Sequence, residues 1–154
     1  MDFDVWVARL GIPLASYCVS LVSAFVPFVN AEAYLVFASL VFPRGSLPGV
    51  VLCATAGQMT GKVALYFAGS GALRLPLRRH EARIEQARAV LQGRRSNAVV
   101  FLSALSGLPP FYFVSIAAGV LRTRLRGFLA WGSLGRALRF AVCVVSPQLV
   151  KAAW

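Results

Sequence analysis

Residues 96–121, SNAVVFLSALSGLPPFYFVSIAAGVL, decide the fold of this chain. The stretch carries no charged side chain, yet Gly107 and the tandem prolines Pro109 and Pro110 interrupt it near its middle. Proline removes a backbone donor, collides with the preceding helical turn and restricts the residue before it. One regular helix therefore cannot run through the stretch, and two short apolar helices joined at the prolines are predicted.

Basic clusters on both sides of this stretch predict its geometry. One is the arginine-rich segment 74–95, and the other contains Arg122, Arg124 and Arg126. If residues 96–121 crossed a membrane, the two clusters would lie on opposite sides, against the tendency of Lys and Arg to remain in the cytoplasm. If the chain bends at the prolines and returns, both clusters face the cytoplasm. The charge pattern thus predicts a re-entrant hairpin at 96–121 and a cytoplasmic position for residues 74–95.

The composition of the whole chain indicates a membrane protein. Of its 154 residues, 58% are hydrophobic and 14% are charged, against about 25% charged in soluble domains. The net charge of +11 is also compatible with a nucleic-acid partner, but the arginines flank apolar runs of bilayer length, which favours anionic membrane lipids instead. We therefore predict a multi-pass protein of the cell (inner) membrane with no nucleic-acid partner. A homo-oligomer is compatible with the sequence.

The other apolar runs complete a single predicted membrane domain, residues 1–154. The run after Pro27 is too short to span and begins with Glu32 close to the proline, so it is interpreted as one arm of another re-entrant hairpin. The predicted segments are a transmembrane helix at 5–26, a re-entrant segment at 27–43, a transmembrane helix at 47–73, a basic cytoplasmic helix at 74–95, the re-entrant hairpin at 96–121 and a transmembrane helix at 127–150.

Residues 74–95 are predicted to form an amphipathic helix on the membrane surface. Leu77, Ile84 and Leu91 recur on one helical face, and arginines occupy much of the remainder. An ordinary solvated charged loop is the alternative.

An internal similarity links the two broken regions. The motif SAFVPF at 23–28 is echoed by Ser103-Ala104-Leu105 followed by Pro110-Phe111. By the charge-derived topology the first hairpin enters from outside and the second from the cytoplasm, which is the inverted-repeat plan of many transporters. The predicted fold is an all-α integral membrane protein, a small helical bundle with two oppositely inserted re-entrant hairpins and an amphipathic surface helix.

Small residues predict close helix packing in the span at 47–73. Gly57 and Gly61 stand one turn apart, a spacing that lets two helix backbones approach each other. Lys62 is the one charged residue of this span, and one interpretation is that it extends along apolar surface toward an interface.

Four ionisable residues lie within or beside apolar runs: Glu32, Lys62, Arg136 and Arg139. Such residues are energetically costly in a membrane and are functional candidates by default. Arg136 lies roughly 15 Å along a helix that begins at Gly127, near the midplane of a hydrocarbon core about 30 Å thick. If all four face a common interior, Glu32 neutralises one cation and the site favours an anion such as a phosphate headgroup. The alternative is a buried Glu–Arg pair that only fixes helix register.

Hydrolytic, metal and cofactor chemistry find no support in the sequence. Cys18, Cys53 and Cys143 are isolated within apolar runs and form no metal-ligand spacing. His80, the only histidine, lies in the basic segment, so neither a Ser-His pair nor a metal site is expected in the apolar core. A glycine loop for nucleotides is also missing. We expect no catalytic residue, no metal, no cofactor and no enzymatic activity.

Several motifs carry a family resemblance. Pro27 followed by Glu32 looks like a first hairpin with its acidic residue, and Gly57, Gly61, Tyr66 and Gly69 look like the pattern of the next span. The strongest similarity comes from Pro109-Pro110-Phe111, then Ala118-Gly119-Val120-Leu121-Arg122, then Phe128 and Gly135-Arg136. Together these motifs resemble the DedA family, also called the VTT or SNARE-associated Golgi protein family. The resemblance implies two oppositely inserted hairpins and the movement of lipids between leaflets, including polyprenyl phosphate carriers and phospholipids.

The leading functional hypothesis from the sequence is a lipid flippase or scramblase. In it, Glu32 gates the site or takes a proton, while Arg136 and Arg139, with Arg122 and Lys62 as further candidates, bind the anionic headgroup. A small-solute or ion transporter using the same broken helices is one alternative. A membrane assembly factor without transport activity is another.

Overall fold

A computed structural model describes residues 3–26, 29–71, 81–92 and 95–153, with side chains described from Leu10 to Val150 within those ranges. Pro27, Leu77 and His80 lie outside the described residues, as does the first part of the basic segment at 74–80. The described chain is helical and contains no strand, so the predicted all-α class is confirmed.

Seven α-helices occur within these ranges. They are α1 (Phe3–Phe25), α2 (Ala31–Val41), α3 (Leu47–Gly69), α4 (Glu81–Leu91), α5 (Ser96–Ser106), α6 (Phe111–Val120) and α7 (Leu125–Ala153), with one 3₁₀ turn at Arg44–Ser46. In the described chain, two helical stretches are long and apolar enough to cross a membrane, Arg44–Gly69 and Leu125–Val150. The apolar parts of α1, α2, α5 and α6 are shorter.

The chain forms two compact units, each with its own core. The first comprises Met1–Gln58 and Ala137–Trp154, and the second comprises Met59–Arg136. Helices α3 and α7 each contribute residues to both units.

In the first unit, α2 packs against the last part of α7. Leu35, Val50 and Phe140 are fully buried in its core. Glu32 at the start of α2 contacts Arg139, and the Gln148 side chain donates a hydrogen bond of 3.3 Å to the carbonyl oxygen of Ser39 near the end of α2. The contacts occur in the same order along both helices, so α2 and the end of α7 run in the same direction.

The second unit contains a hairpin made by α5 and α6. Going along α5, Asn97 lies beside Gly127, Phe101 packs edge-on against Trp131 at 6.0 Å, and the Phe101 carbonyl approaches Gly135. Because this order is the same along both helices, α5 runs parallel to the first part of α7. Helix α6 then begins beside Gly132, where Phe111 packs, and its end is joined to the start of α7. The chain therefore runs parallel to the first part of α7 in α5, turns, and runs back to the start of α7 in α6.

The interruption between α5 and α6 falls at the residues that the sequence marks as helix-breaking. Gly107 caps α5 in the left-handed conformation with φ 81°, and the peptide bond between Leu108 and Pro109 is cis. The Ser103 hydroxyl donates to the Pro109 carbonyl oxygen at 2.6 Å and holds the turn against the last part of α5. Helix α6 then starts directly after Pro110.

Helix α4 contributes its apolar face to the core of the second unit. Ala87 and Leu91 are buried among residues that include Phe113 and Val114 of α6, and Ile84 packs at the edge of the same cluster. Its remaining residues are largely exposed. The apolar side of the predicted surface helix is thus covered by protein, while its location on a membrane surface stays a prediction.

Candidate functional site

An ion pair in the first unit joins two of the sequence-predicted site residues. The Arg139 Nε donates to Glu32 Oε1 at 2.6 Å, and the side chains of Arg139 and Glu32 are 24% and 32% exposed. A hydrogen bond this short between charged groups is stronger than a neutral one. Opposite charges in direct contact can be held together among apolar helices.

Glu32 is positioned by the N-terminus of α2. The Asn30 side-chain oxygen accepts hydrogen bonds from the backbone N–H groups of Glu32 at 2.9 Å and Ala33 at 3.3 Å, which caps the helix. A carboxylate in the first turn is also stabilised by the positive end of the helix dipole. Asn30 therefore fixes where α2 begins, and with it the place of Glu32.

Polar contacts in the same unit hold α1 beside α2 and α3. The Ser16 hydroxyl donates to the Ile12 carbonyl at 2.8 Å, so the Tyr34 hydroxyl, 2.9 Å away, is the donor to Ser16. The Gln58 amide nitrogen donates to the Ser23 hydroxyl at 3.0 Å. The sequence does not single out these residues, because isolated Ser, Tyr and Gln in apolar runs carry no recognisable spacing.

Two cations of the second unit lie against aromatic rings at the start of α6. Lys62 is only 4% exposed, and its Nζ is 5.4 Å from the centre of the Tyr112 ring. The Arg136 guanidinium carbon is 5.2 Å from the centre of the Phe111 ring. Both distances fall within the range of cation–π attraction. The two rings belong to consecutive residues in the first turn of α6, whose dipole adds a positive end at the same place.

The chemistry of this cluster favours an anion. A lysine, an arginine and a helix N-terminus all present hydrogen-bond donors and positive charge, which are the features that bind phosphate groups. Lys62 is buried beside the Tyr112 ring, so its side chain does not extend along the exposed surface of the protein.

Arg122 lies at the other end of α6 from the rings of Phe111 and Tyr112. Helix α6 is about 15 Å long at 1.5 Å per residue, and Arg122 follows its C-terminus as an exposed residue with φ 49°. The backbone N–H of Arg122 donates to Gly119, and that of Thr123 donates to Ala118. These hydrogen bonds make the helix end a Schellman motif, in which the left-handed position is usually glycine.

Glycines bring helix backbones together within each unit. In the first unit, a Cβ on Gly57 would collide with the Tyr17 carbonyl of α1. In the second, Gly119 of α6 lies against the Tyr66 carbonyl of α3, and Gly69 lies against the Ile116 carbonyl. Gly61 is buried. The Tyr66 hydroxyl also donates to the Thr123 carbonyl at 2.5 Å, which ties the end of α3 to the turn before α7.

The described residues contain no group of three or more His, Cys, Asp or Glu side chains placed to hold a metal ion. The sequence-predicted ionisable residues form two separate sets. Glu32 and Arg139 pair in the first unit, and Lys62 and Arg136 lie against aromatic rings in the second.

Apolar helices interrupted by short turns, with ionisable side chains held among them, are features of polytopic helical membrane proteins. A comparison with protein families identifies the class more closely: the VTT domain model matches residues 26–148. The chain belongs to this family, the DedA or SNARE-associated family, whose members are membrane proteins. No curated protein and no solved structure matches the chain.

Proposed function

We propose that this protein moves anionic, phosphate-bearing lipids between membrane leaflets as a flippase or scramblase, with polyprenyl phosphate and phospholipids as the substrate classes. The proposal includes a multi-pass position in the cell (inner) membrane, with residues 74–95 in the cytoplasm, and it includes no catalytic step and no cofactor. The family supports a membrane-associated, transporter-like role in general. The geometry of the α5–α6 hairpin is the observation that carries the more specific proposal.

The α5–α6 hairpin has the dimensions of a segment that enters half a bilayer. Its arms, Ser96–Ser106 and Phe111–Val120, are each about 15–17 Å long, whereas a full hydrocarbon core is about 30 Å thick. The arms lie along the first part of α7, which itself is long enough to span. Helix α7 covers one side of the arms, where Gly132 meets Phe111 and Gly135 meets the Phe101 carbonyl. Residues of α4 lie beside the turn at Pro109 and Pro110, so protein covers part of the interrupted backbone, as a lipid environment requires. This supports re-entrance at 96–121.

Contacts in the first unit support a hairpin that enters from the outside, because they bring the end of α2 together with helix ends proposed to lie there. The start of α3 and the last part of α7 share a core through Val50 and Val144. The basic segment 74–95 follows α3, and the cluster at Arg122, Arg124 and Arg126 lies at the start of α7. If both are cytoplasmic, the start of α3 and the end of α7 lie together on the outside. Helix α2 ends at the same place, since Ser39 contacts Gln148.

The position of α1 favours a first hairpin that begins within α1, before the re-entrant segment predicted at 27–43. Ser23, near the end of α1, lies beside Gln58, which is close to the middle of the long helix α3. We therefore propose that the C-terminal part of α1 is the inward arm and α2 the outward arm of this hairpin. This arrangement excludes a complete span at 5–26, which is the alternative that the sequence predicts.

The charged groups supply the proposed headgroup chemistry. Lys62 and Arg136 attract a phosphate to the start of α6, where the helix dipole stabilises the same charge. In the first unit, Glu32 neutralises Arg139 until an anion competes for the guanidinium or the carboxylate takes a proton. The acyl or prenyl tails remain in hydrocarbon throughout, so only the headgroup needs polar partners.

Leaflet exchange in vesicles tests this proposal. The protein is reconstituted with a fluorescent phosphatidylglycerol, and an impermeant reductant destroys the fluorescence that is exposed outside. We expect the protein to expose the inner-leaflet lipid, and Arg136→Ala or Glu32→Gln to slow the exchange by roughly tenfold or more, as loss of a charge-assisted hydrogen bond of about 1.5–3 kcal/mol implies. Arg126→Gln, at an exposed arginine, is the control.

Equal exchange in protein-containing and protein-free vesicles would contradict the proposal. Saturable uptake of a water-soluble anion without lipid exchange would then favour a solute transporter. Variants that change abundance or partner binding, without affecting any transport, would favour an assembly factor.

A further inference from the structure

A groove on the first unit lies outside the charged groups used above. It has a volume of about 500 Å³ and runs between the start of α3 and the last part of α7. Its walls are mainly aliphatic, with Leu47, Val51 and Leu52 on one side and Val144 and Val145 on the other. Arg44, in the 3₁₀ turn before α3, borders the groove and is exposed.

We propose that this groove binds one acyl chain of an anionic phospholipid, whose phosphate contacts Arg44. The inference rests on the membrane insertion in the proposed function but not on lipid movement, because the groove serves a lipid that stays bound. Arg44 opens the stretch Arg44–Gly69, which is long enough to span, and this places its guanidinium at the level of the headgroups.

The shape and charge of the groove match a lipid. Within a membrane an acyl chain gains little from removal from water, so contact with the groove walls and with the headgroup decides binding. The aliphatic walls and the single cation correspond to a molecule with an apolar tail and one anionic head. A neutral or zwitterionic lipid would use the same walls without the benefit of the cation.

A second copy of this chain fits the groove less well. The net charge is +11, with 16 Lys and Arg against 5 Asp and Glu, so another copy would bring few carboxylates toward Arg44. Charge complementarity therefore favours the anionic lipid over self-association.

Short-range quenching of a tryptophan in the groove tests the proposal. Leu52 is 67% exposed and lines the groove, while Val142 is 64% exposed on α7 without lining it. Leu52→Trp, the groove probe, and Val142→Trp, the control probe, are made in a chain whose Trp6, Trp131 and Trp154 are replaced by Phe. Each variant is reconstituted with brominated phosphatidylglycerol or brominated phosphatidylcholine, which quench tryptophan on contact.

For the groove probe we expect an apparent preference of about fivefold for phosphatidylglycerol, the factor that one cation near the membrane surface provides. Arg44→Gln should abolish this preference, whereas Arg126→Gln should leave it unchanged. The control probe should not discriminate between the two headgroups.

Equal quenching of the groove probe by both lipids would overturn the proposal. So would an unquenched groove probe beside a quenched control probe, because the groove would then be covered by protein, whether a second copy or another chain. If the tryptophan-free background does not fold, native mass spectrometry of the wild-type, Arg44→Gln and Arg126→Gln proteins decides the question. Retention of phosphatidylglycerol must fall about fivefold only in Arg44→Gln.

Leaflet exchange measured on the same samples separates the two proposals. Loss of the headgroup preference in Arg44→Gln with normal exchange shows that the bound lipid is independent of transport. Failure of exchange in the wild-type protein, with the preference intact, contradicts only the proposed function.

Discussion

At the scale of single residues, the Glu32–Arg139 pair permits a test that separates stability from function. Each single change, Glu32→Gln or Arg139→Gln, leaves one charge among apolar helices, so both should lower the unfolding temperature in detergent. The double variant should be more stable than the sum of the single effects predicts, with a coupling energy of about 1–3 kcal/mol. Thermal unfolding of the four proteins measures it.

The same four proteins show whether the pair is only structural. If it merely fixes helix register, the double variant should regain leaflet exchange together with stability. If Arg139 binds the headgroup, exchange should stay low in the double variant. Additive effects on unfolding would mean that the contact between the two side chains contributes nothing.

Arg122 occupies a backbone conformation that glycine adopts more easily. Because L-residues in the left-handed region are less stable by roughly 1–2 kcal/mol, Arg122→Gly should be about 1 kcal/mol more stable than Arg122→Ala. The alanine variant is the matched control, since both changes remove the charge near the helix C-terminus. Equal unfolding temperatures of the two variants would show that the left-handed geometry carries no strain.

At the scale of helices, the close approach of α3 and α6 makes Gly119 sensitive to any side chain. Gly119→Ala places a methyl group against the Tyr66 carbonyl, and we expect a loss of about 1–3 kcal/mol from the forced separation. Gly49→Ala is the control, because its Cβ would meet no atom within 4 Å. Unfolding in detergent measures both, and a Gly119→Ala protein as stable as Gly49→Ala would contradict the packing.

Sequence reasoning succeeded for helices where local chemistry is decisive. Pro13 and Pro147 lie inside helices α1 and α7, but the tandem prolines Pro109 and Pro110 directly after Gly107 end a helix. The turn between α5 and α6 could therefore be placed to within a few residues. It failed where the structure depends on which other helix a helix packs against. Periodicity shows that α4 has an apolar face but not that α6 covers it, and spacing does not reveal that Gly69 and Gly119 meet carbonyl groups of facing helices.

The ion pair shows the same limit for the candidate site. Glu32 and the two arginines of α7 were identifiable because charges are rare in apolar runs. Arg136 and Arg139 lie three residues apart and share a helical face, so helical geometry alone could not choose between them. The structure pairs Arg139 with Glu32 and places Arg136 over the Phe111 ring, an assignment that requires the third dimension.

At the scale of the whole molecule, the proposed topology predicts which residues are reached from each side of a membrane. A re-entrant α5–α6 hairpin places Asn97 and Arg124 on the same side, whereas a spanning segment would place them on opposite sides. Gly45, beside the start of α3, should lie on the other side. Single cysteines at these three positions, in a chain with Cys18, Cys53 and Cys143 replaced by serine, are labelled with an impermeant maleimide in sealed inside-out and right-side-out vesicles.

The turn of the hairpin supplies the sharpest outcome. Leu108 is 75% exposed on the protein, so a cysteine there would label rapidly if the turn lay in water. Re-entrance to half the bilayer predicts that Leu108→Cys is protected from the impermeant reagent on both sides and becomes reactive in detergent. Rapid labelling at 108 from the side opposite to Asn97→Cys would instead mean that the turn reaches water on the opposite side, and the half-bilayer hairpin on which lipid movement depends would be lost.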